Sequence, residues 1–69
     1  MPHFDGLVKS ISPTSWVITG RDGKDVTVTV NAATKIEPGV NVGDAVHVAG
    51  TTDSSGNIVA WSIRKARTR

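Results

Sequence analysis

Apolar and polar residues alternate along this chain in short runs, and most runs end at a glycine-bearing turn. The clearest run spans residues 25–31. Val26, Val28 and Val30 share one face while Thr27 and Thr29 share the other, the period of two expected of a half-buried strand. Residues 44–51 repeat the pattern, with Val46 and Val48 inward and His47 and Ala49 outward. Residues 4–11, 15–19 and 58–64 complete a set of five predicted strands, with Gly6 read as a bend or bulge near the start of the first. The breaks between them are Ser12-Pro13-Thr14-Ser15, Arg21-Asp22-Gly23-Lys24 and Asp53-Ser54-Ser55-Gly56-Asn57. These residue types reverse the chain by fixing φ, tolerating positive φ, or bonding their own backbone. The Asp22-Gly23 pair predicts a hairpin, so the second and third strands are expected to be antiparallel neighbours.

Residues 32–42 break the alternation. Asn31-Ala32-Ala33-Thr34 is expected to form a single helical turn with Asn31 as its N-cap, and Ile36 is expected to plug one end of the fold. Five short strands with the longest break between the third and fourth predict an all-β fold, a five-stranded antiparallel OB-like barrel. An SH3-like barrel is the alternative. Ile18, Val28, Val30, Val46, Val48 and Ile63 are expected inside, and Trp16 shares the parity of Ile18. Ala60 and Ile63 cannot both face inward under strict alternation. The last strand is therefore expected to carry a bulge, and the direction of Trp61 stays open between core and solvent.

Fifteen apolar residues are Val or Ile, against one Leu and one Met, which strengthens the all-β reading because β-branched side chains suit a pleated surface. The chain has 69 residues and no cysteine. A domain this small buries only about 60% of its unfolded surface, and barrel closure removes the exposed edges that a small open sheet would present. Residues 1–64 are expected to form one β-barrel domain and residues 65–69 a disordered basic tail. No apolar stretch approaches the roughly 20 residues of a spanning helix. The compartment is expected to be extracytoplasmic if the chain is excised from an exported parent, and cytoplasmic if it is complete.

The sequence pI of 9.5 invites a nucleic-acid reading, but the charge is unevenly placed. Arg64, Lys65, Arg67 and Arg69 hold half of the eight basic residues, and without them the formal charge of +2 becomes −2. A nucleic-acid groove needs cations spread over a folded face.

The ordered strings Gly6-Leu7-Val8-Lys9-Ser10-Ile11-Ser12, Trp16-Val17-Ile18-Thr19 and Val26-Thr27-Val28-Thr29-Val30-Asn31 with Thr34-Lys35-Ile36 carry a family likeness. So do Val42-Gly43-Asp44-Ala45-Val46-His47-Val48-Ala49-Gly50 and Gly56-Asn57-Ile58-Val59-Ala60-Trp61-Ser62-Ile63. Together, over roughly residues 6–63, the chain resembles the bacterial domain of unknown function numbered 5666. The resemblance implies a small OB-like barrel, a non-enzymatic module found in secreted or envelope-associated proteins. It supplies no catalytic or binding residues.

The candidate chemistry is sparse. Ser54 and Ser55 stand in a turn with Asp53, and no nucleophile elbow presents a serine to His47, so no catalytic residues and no enzymatic activity are expected. His3 and His47 have no third ligand near them in sequence, and no metal or cofactor is expected. The third strand lacks the aromatic platform on which an OB barrel stacks bases. Thr27, Thr29 and Thr19 form a hydroxyl-bearing face that β-propensity alone accounts for. The expected partner contacts are Trp61, Arg64, Lys65, Arg67 and Arg69, used toward a protein partner or neighbouring domains of a larger chain. The alternative is weak nucleic-acid binding through the basic C-terminal residues.

Overall fold

A computed structural model of the chain describes residues 2–67. Six strands form: β1 (His3–Ile11), β2 (Ser15–Gly20), β3 (Asp25–Thr29), β4 (Lys35–Ile36), β5 (Ala45–Thr52) and β6 (Ile58–Lys65). They run in the order β3-β2-β1-β5-β6-β4, and a further pairing of β3 with β6 closes the sheet. The result is an all-β, OB-like barrel of five principal strands with the two-residue β4 laid against β6. Among the described residues there is no helix, and hence none long and apolar enough to cross a membrane.

The expected pairing holds for β2 and β3, which are antiparallel in the register Trp16↔Val28 and Ile18↔Val26. Their connection has Gly23 at a φ of 83°. Gly20 donates its N–H to the Lys24 carbonyl, and Asp22 Oδ1 accepts the Lys24 N–H. Two other expectations need correction. The barrel is not wholly antiparallel, since β6 runs parallel to both β3 and β4. Residues 31–34 do not make a helical turn. The Thr34 N–H bonds the Asn31 carbonyl, Asn31 Oδ1 accepts the Ala33 N–H, and Thr34 Oγ1 accepts the Asn31 N–H. This closes a reverse turn with an Asx bond, and Thr34 Oγ1 then donates to the Ala60 carbonyl 2.8 Å away. The side chain so ties the loop to β6.

The core consists of Val8, Trp16, Ile18, Val28, Val30, Val40, Val46, Val48, Ala60 and Ile63, with Phe4, Val26 and Ile58 packed against it. All six residues expected inside from alternation are buried, and Trp16 with them. Ile36 does not plug the barrel. It lies on β4, partly exposed, paired with Ile63 through the backbone. Val40 takes a buried place from the same loop.

Two bulges set which side chains face out. On β1, Val8 pairs with Ile18 and Ser10 with Val17, leaving Lys9 as the extra residue. Gly6, expected to bend, instead keeps the ladder in register with Gly20. It is glycine because a Cβ there would sit 2.5 Å from the Thr19 carbonyl oxygen. On β6, Ala49 pairs with Ser62 and Gly50 with Ala60, leaving Trp61 as the extra residue. That is the bulge that the Ala60/Ile63 conflict predicts. It lets both residues face inward and turns Trp61 outward, 55% exposed.

Register and burial together predict opposite outcomes for two aspartate substitutions. Val46→Asp places a carboxylate where the side chain is fully buried, at a cost of several kcal/mol against marginal stability, and should leave no cooperative unfolding transition. Thr29→Asp, on the exposed face of β3, should keep a native-like urea transition. Equal loss in both would put the β3 and β5 registers in error.

Candidate functional site

The outer face of β1, β5 and β6 gathers the polar chemistry of the molecule. The register of these strands sets Asp5, His47 and Arg64 in one row across the three. Asp5 Oδ1 lies 2.6 Å from His47 Nδ1. A carboxylate accepts, so Nδ1 carries a proton, and in the neutral ring the lone pair is then on Nε2. His3, paired through its backbone with Ala49, brings its ring to 5.4 Å from the His47 ring, centroid to centroid, with planes inclined at 51°. His47 faces outward as its alternation with Val46 and Val48 predicts, and there it is half-buried and engaged with Asp5.

A shallow cleft of about 370 Å³ lies beside this row, lined by Asp5, His47, Arg64, Lys65, Ala66 and Arg67. A second cleft of about 460 Å³ adjoins it, sharing Asp5 and Ala66 and continuing over Leu7, Ala45 and Val46 to Arg21. The first is polar and cationic and the second mainly apolar. Leu7 on its wall is about half exposed.

The backbone that carries the cations of the first cleft is held by hydrogen bonds, which corrects the expected tail at residues 65–67. Lys65 is the last residue of β6, so the strand passes the expected boundary after Arg64. The Lys65 N–H donates to Glu37 Oε1 and the Ala66 N–H to the Ala45 carbonyl. Arg67 pairs with Glu37 Oε2 at 3.2 Å. The structure thus brings Arg64, Lys65 and Arg67 to one cleft, while Trp61 stands at the β6 bulge and does not line it. Arg69 lies outside the described residues. Sequence reasoning missed Asp5 and Glu37, and it set His3 aside for want of a third ligand. Residues 3 and 5 share a parity and His47 faces outward, but only the β1–β5 register shows that the three meet.

Two carboxylates are stabilised in their charged form. The Lys65 backbone N–H holds the Glu37 carboxyl below the usual carboxylate range; partial burial opposes this, and the Arg67 guanidinium adds to the lowering. The Lys9 ammonium, 2.6 Å away, does the same for Asp25, with the Thr19 hydroxyl adding to it. The Asp53 carboxylate is a turn element, accepting the N–H groups of Ser55 and Asn57. This is the structural role that the sequence suggests for it.

The sequence profile of a domain of unknown function, DUF5666, matches residues 5–64. No curated protein matches the sequence. Among solved structures, the chain is similar to the silver(I) form of CusF, with a TM-score of 0.82 and 16% identity over 94% of this chain and 96% of that one. It is similar also to a copper(II) structure of a tryptophan-to-alanine variant of CusF from Escherichia coli. There the TM-score is 0.79 at 16% identity, over 94% of this chain and 90% of that one. At that identity the likeness is one of fold.

The lowered carboxylates give the fold a defined acid sensitivity. In each case the unfolded state binds the proton more readily, so the stabilisation is complete above the ordinary carboxylate pKa and drains away as pH falls through the lowered one. The urea midpoint should hold between about pH 6 and 5 and fall below about pH 4. In an Asp25→Asn, Glu37→Gln double variant it should start lower and fall less. Parallel curves for the two proteins would remove these pairs from the account. The profile match spans residues 5–64, most of this small barrel, and the chain belongs to the DUF5666 family.

Proposed function

We propose that this barrel is a non-enzymatic interaction module that docks a partner protein over the outward side of β6. Trp61 is its apolar anchor and Arg64, Lys65 and Arg67 are its flanking cations. The observation that carries the reading is the exposure of Trp61. The chain has two tryptophans; Trp16 is 5% exposed in the core, whereas Trp61 is 55% exposed on a strand. Its indole is presented by a backbone bulge on a hydrogen-bonded strand, so little backbone freedom remains to be lost on binding. Tryptophan and arginine are the residues on which binding energy most often concentrates. The non-enzymatic part of the reading is supported by the sequence, which presents no serine on a nucleophile elbow.

The clustering of Arg64, Lys65 and Arg67 at one cleft favours a second reading, contact with nucleic acid. It is weakened by the Arg67–Glu37 pair and by the absence of aromatics from β3.

Photo-crosslinking separates the two. A benzophenone amino acid at position 61 should give a discrete protein adduct in cells of the source organism, and the same group at exposed Thr27 should not. Identical adduct patterns would sink the docking reading. Fluorescence anisotropy with a single-stranded oligonucleotide should show only weak binding that vanishes as salt is raised. Binding that persists at high salt and falls with Trp61→Ala would put nucleic acid in the partner's place.

A further inference from the structure

We propose that His3 and His47 form a surface site for a divalent first-row transition cation, copper(II) foremost, with Asp5 orienting His47 from behind. The strand register brings the pair together. Asp5 faces His47 and His3 faces Ala49 across an antiparallel ladder, so the two histidines are diagonal neighbours on one outer face. Their ring centroids are 5.4 Å apart at 51°, a tilted approach within the ordinary range of aromatic pairs. It is also close to the spacing of two imidazoles around one ion. With metal–nitrogen distances near 2.1 Å, two ligating rings have centroids roughly 4.5 Å apart at the cis angle of tetragonal copper(II) and roughly 5 Å apart at the tetrahedral angle of zinc(II), so a small ring adjustment seats copper(II).

Asp5 supplies the second requirement. Its carboxylate holds His47 Nδ1–H at 2.6 Å, which fixes the tautomer and leaves Nε2 as the ligating nitrogen. A carboxylate behind a histidine is the support that metal-bound imidazoles ordinarily have, and it raises their basicity. The ring arrives oriented, on a strand bonded on both sides.

The donor set also selects the ion. Imidazole nitrogen suits copper(II), nickel(II) and zinc(II), in which copper(II) binds most tightly, whereas calcium and magnesium require oxygen ligands. There is no cysteine in the chain, so the thiolate that soft monovalent ions prefer is not supplied. Among the described residues no three metal-ligating side chains come together. The protein therefore gives two ligands, and water or a partner completes the shell. Arg64 stands opposite His47 on β6, and its charge partly offsets that of Asp5. Both features make the site an open, exchangeable one.

Copper(II) chloride, nickel(II) chloride and zinc(II) chloride, each titrated into the full chain at pH 7.4 in a non-coordinating buffer, provide the test. Calorimetry should give one equivalent of each, copper(II) tightest. Substoichiometric copper(II) should broaden amide NMR signals first around residues 3–5 and 47–49 in the wild-type protein, a result that depends on no variant folding. His3→Ala and His47→Ala should each weaken copper(II) binding tenfold or more, and Asp5→Asn should weaken it less, with amide spectra otherwise native. Broadening centred elsewhere, or an affinity unchanged in the His3→Ala, His47→Ala double variant, would overturn the site. So would no binding at millimolar metal.

Discussion

The fold depends on how β6 meets its neighbours. In a chain of 69 residues one strand of eight must pair antiparallel with β5 and also parallel with β3 and β4. A regular strand cannot do this and also bury both Ala60 and Ile63, because they lie three positions apart. Setting Trp61 aside in a bulge resolves the conflict. The bulge also brings the backbones of β5 and β6 so close that position 50 admits no side chain. A Cβ at Gly50 would lie 2.3 Å from the Val59 carbonyl oxygen. Barrel closure, an inward-facing Ile63 and an outward-facing Trp61 are thus three results of one local irregularity.

The same seam explains how Lys65 and Arg67 are placed. After Ile63 the chain continues along β5, and Glu37, delivered by the loop after β4, accepts from Lys65 and pairs with Arg67. The Glu37 N–H in turn donates to the Ile63 carbonyl. A loop of irregular sequence is therefore fastened to β6 by backbone and carboxylate together. This fastening keeps Lys65 and Arg67 beside Arg64 at the polar cleft, which Asp5 and His47 also line.

Much of the barrel was legible in the chain because its information is local. The Val26–Val30 and Val46–Val48 alternation shows which side chains are buried, the Asp22-Gly23 turn shows that β2 meets β3, and the parity conflict at Ala60 and Ile63 announces the bulge. What was not legible is non-local or carried by the backbone. A two-residue strand such as β4 has no period to detect. The parallel β3–β6 contact joins residues some thirty positions apart. Lys65 and Arg67 look like solvated charges until Glu37 is placed beside them. His3, Asp5 and His47 look unrelated, because their meeting is created by the β1–β5 register over 42 positions. The fold was therefore the more readable part, and the site depended on pairings that only the assembled sheet displays.

The β6 seam is tested most directly by the urea unfolding midpoint of Gly50→Ala. The added methyl group meets the backbone of Val59, which cannot step aside as a flexible side chain would. The variant must open the bulge or shift the ladder. The loss of stability should be roughly 2 kcal/mol or more, in the range reserved for substitutions that strain a packed backbone. A midpoint equal to that of the wild-type protein would contradict the claim that barrel closure, the buried Ile63 and the exposed Trp61 all rest on this one crossing.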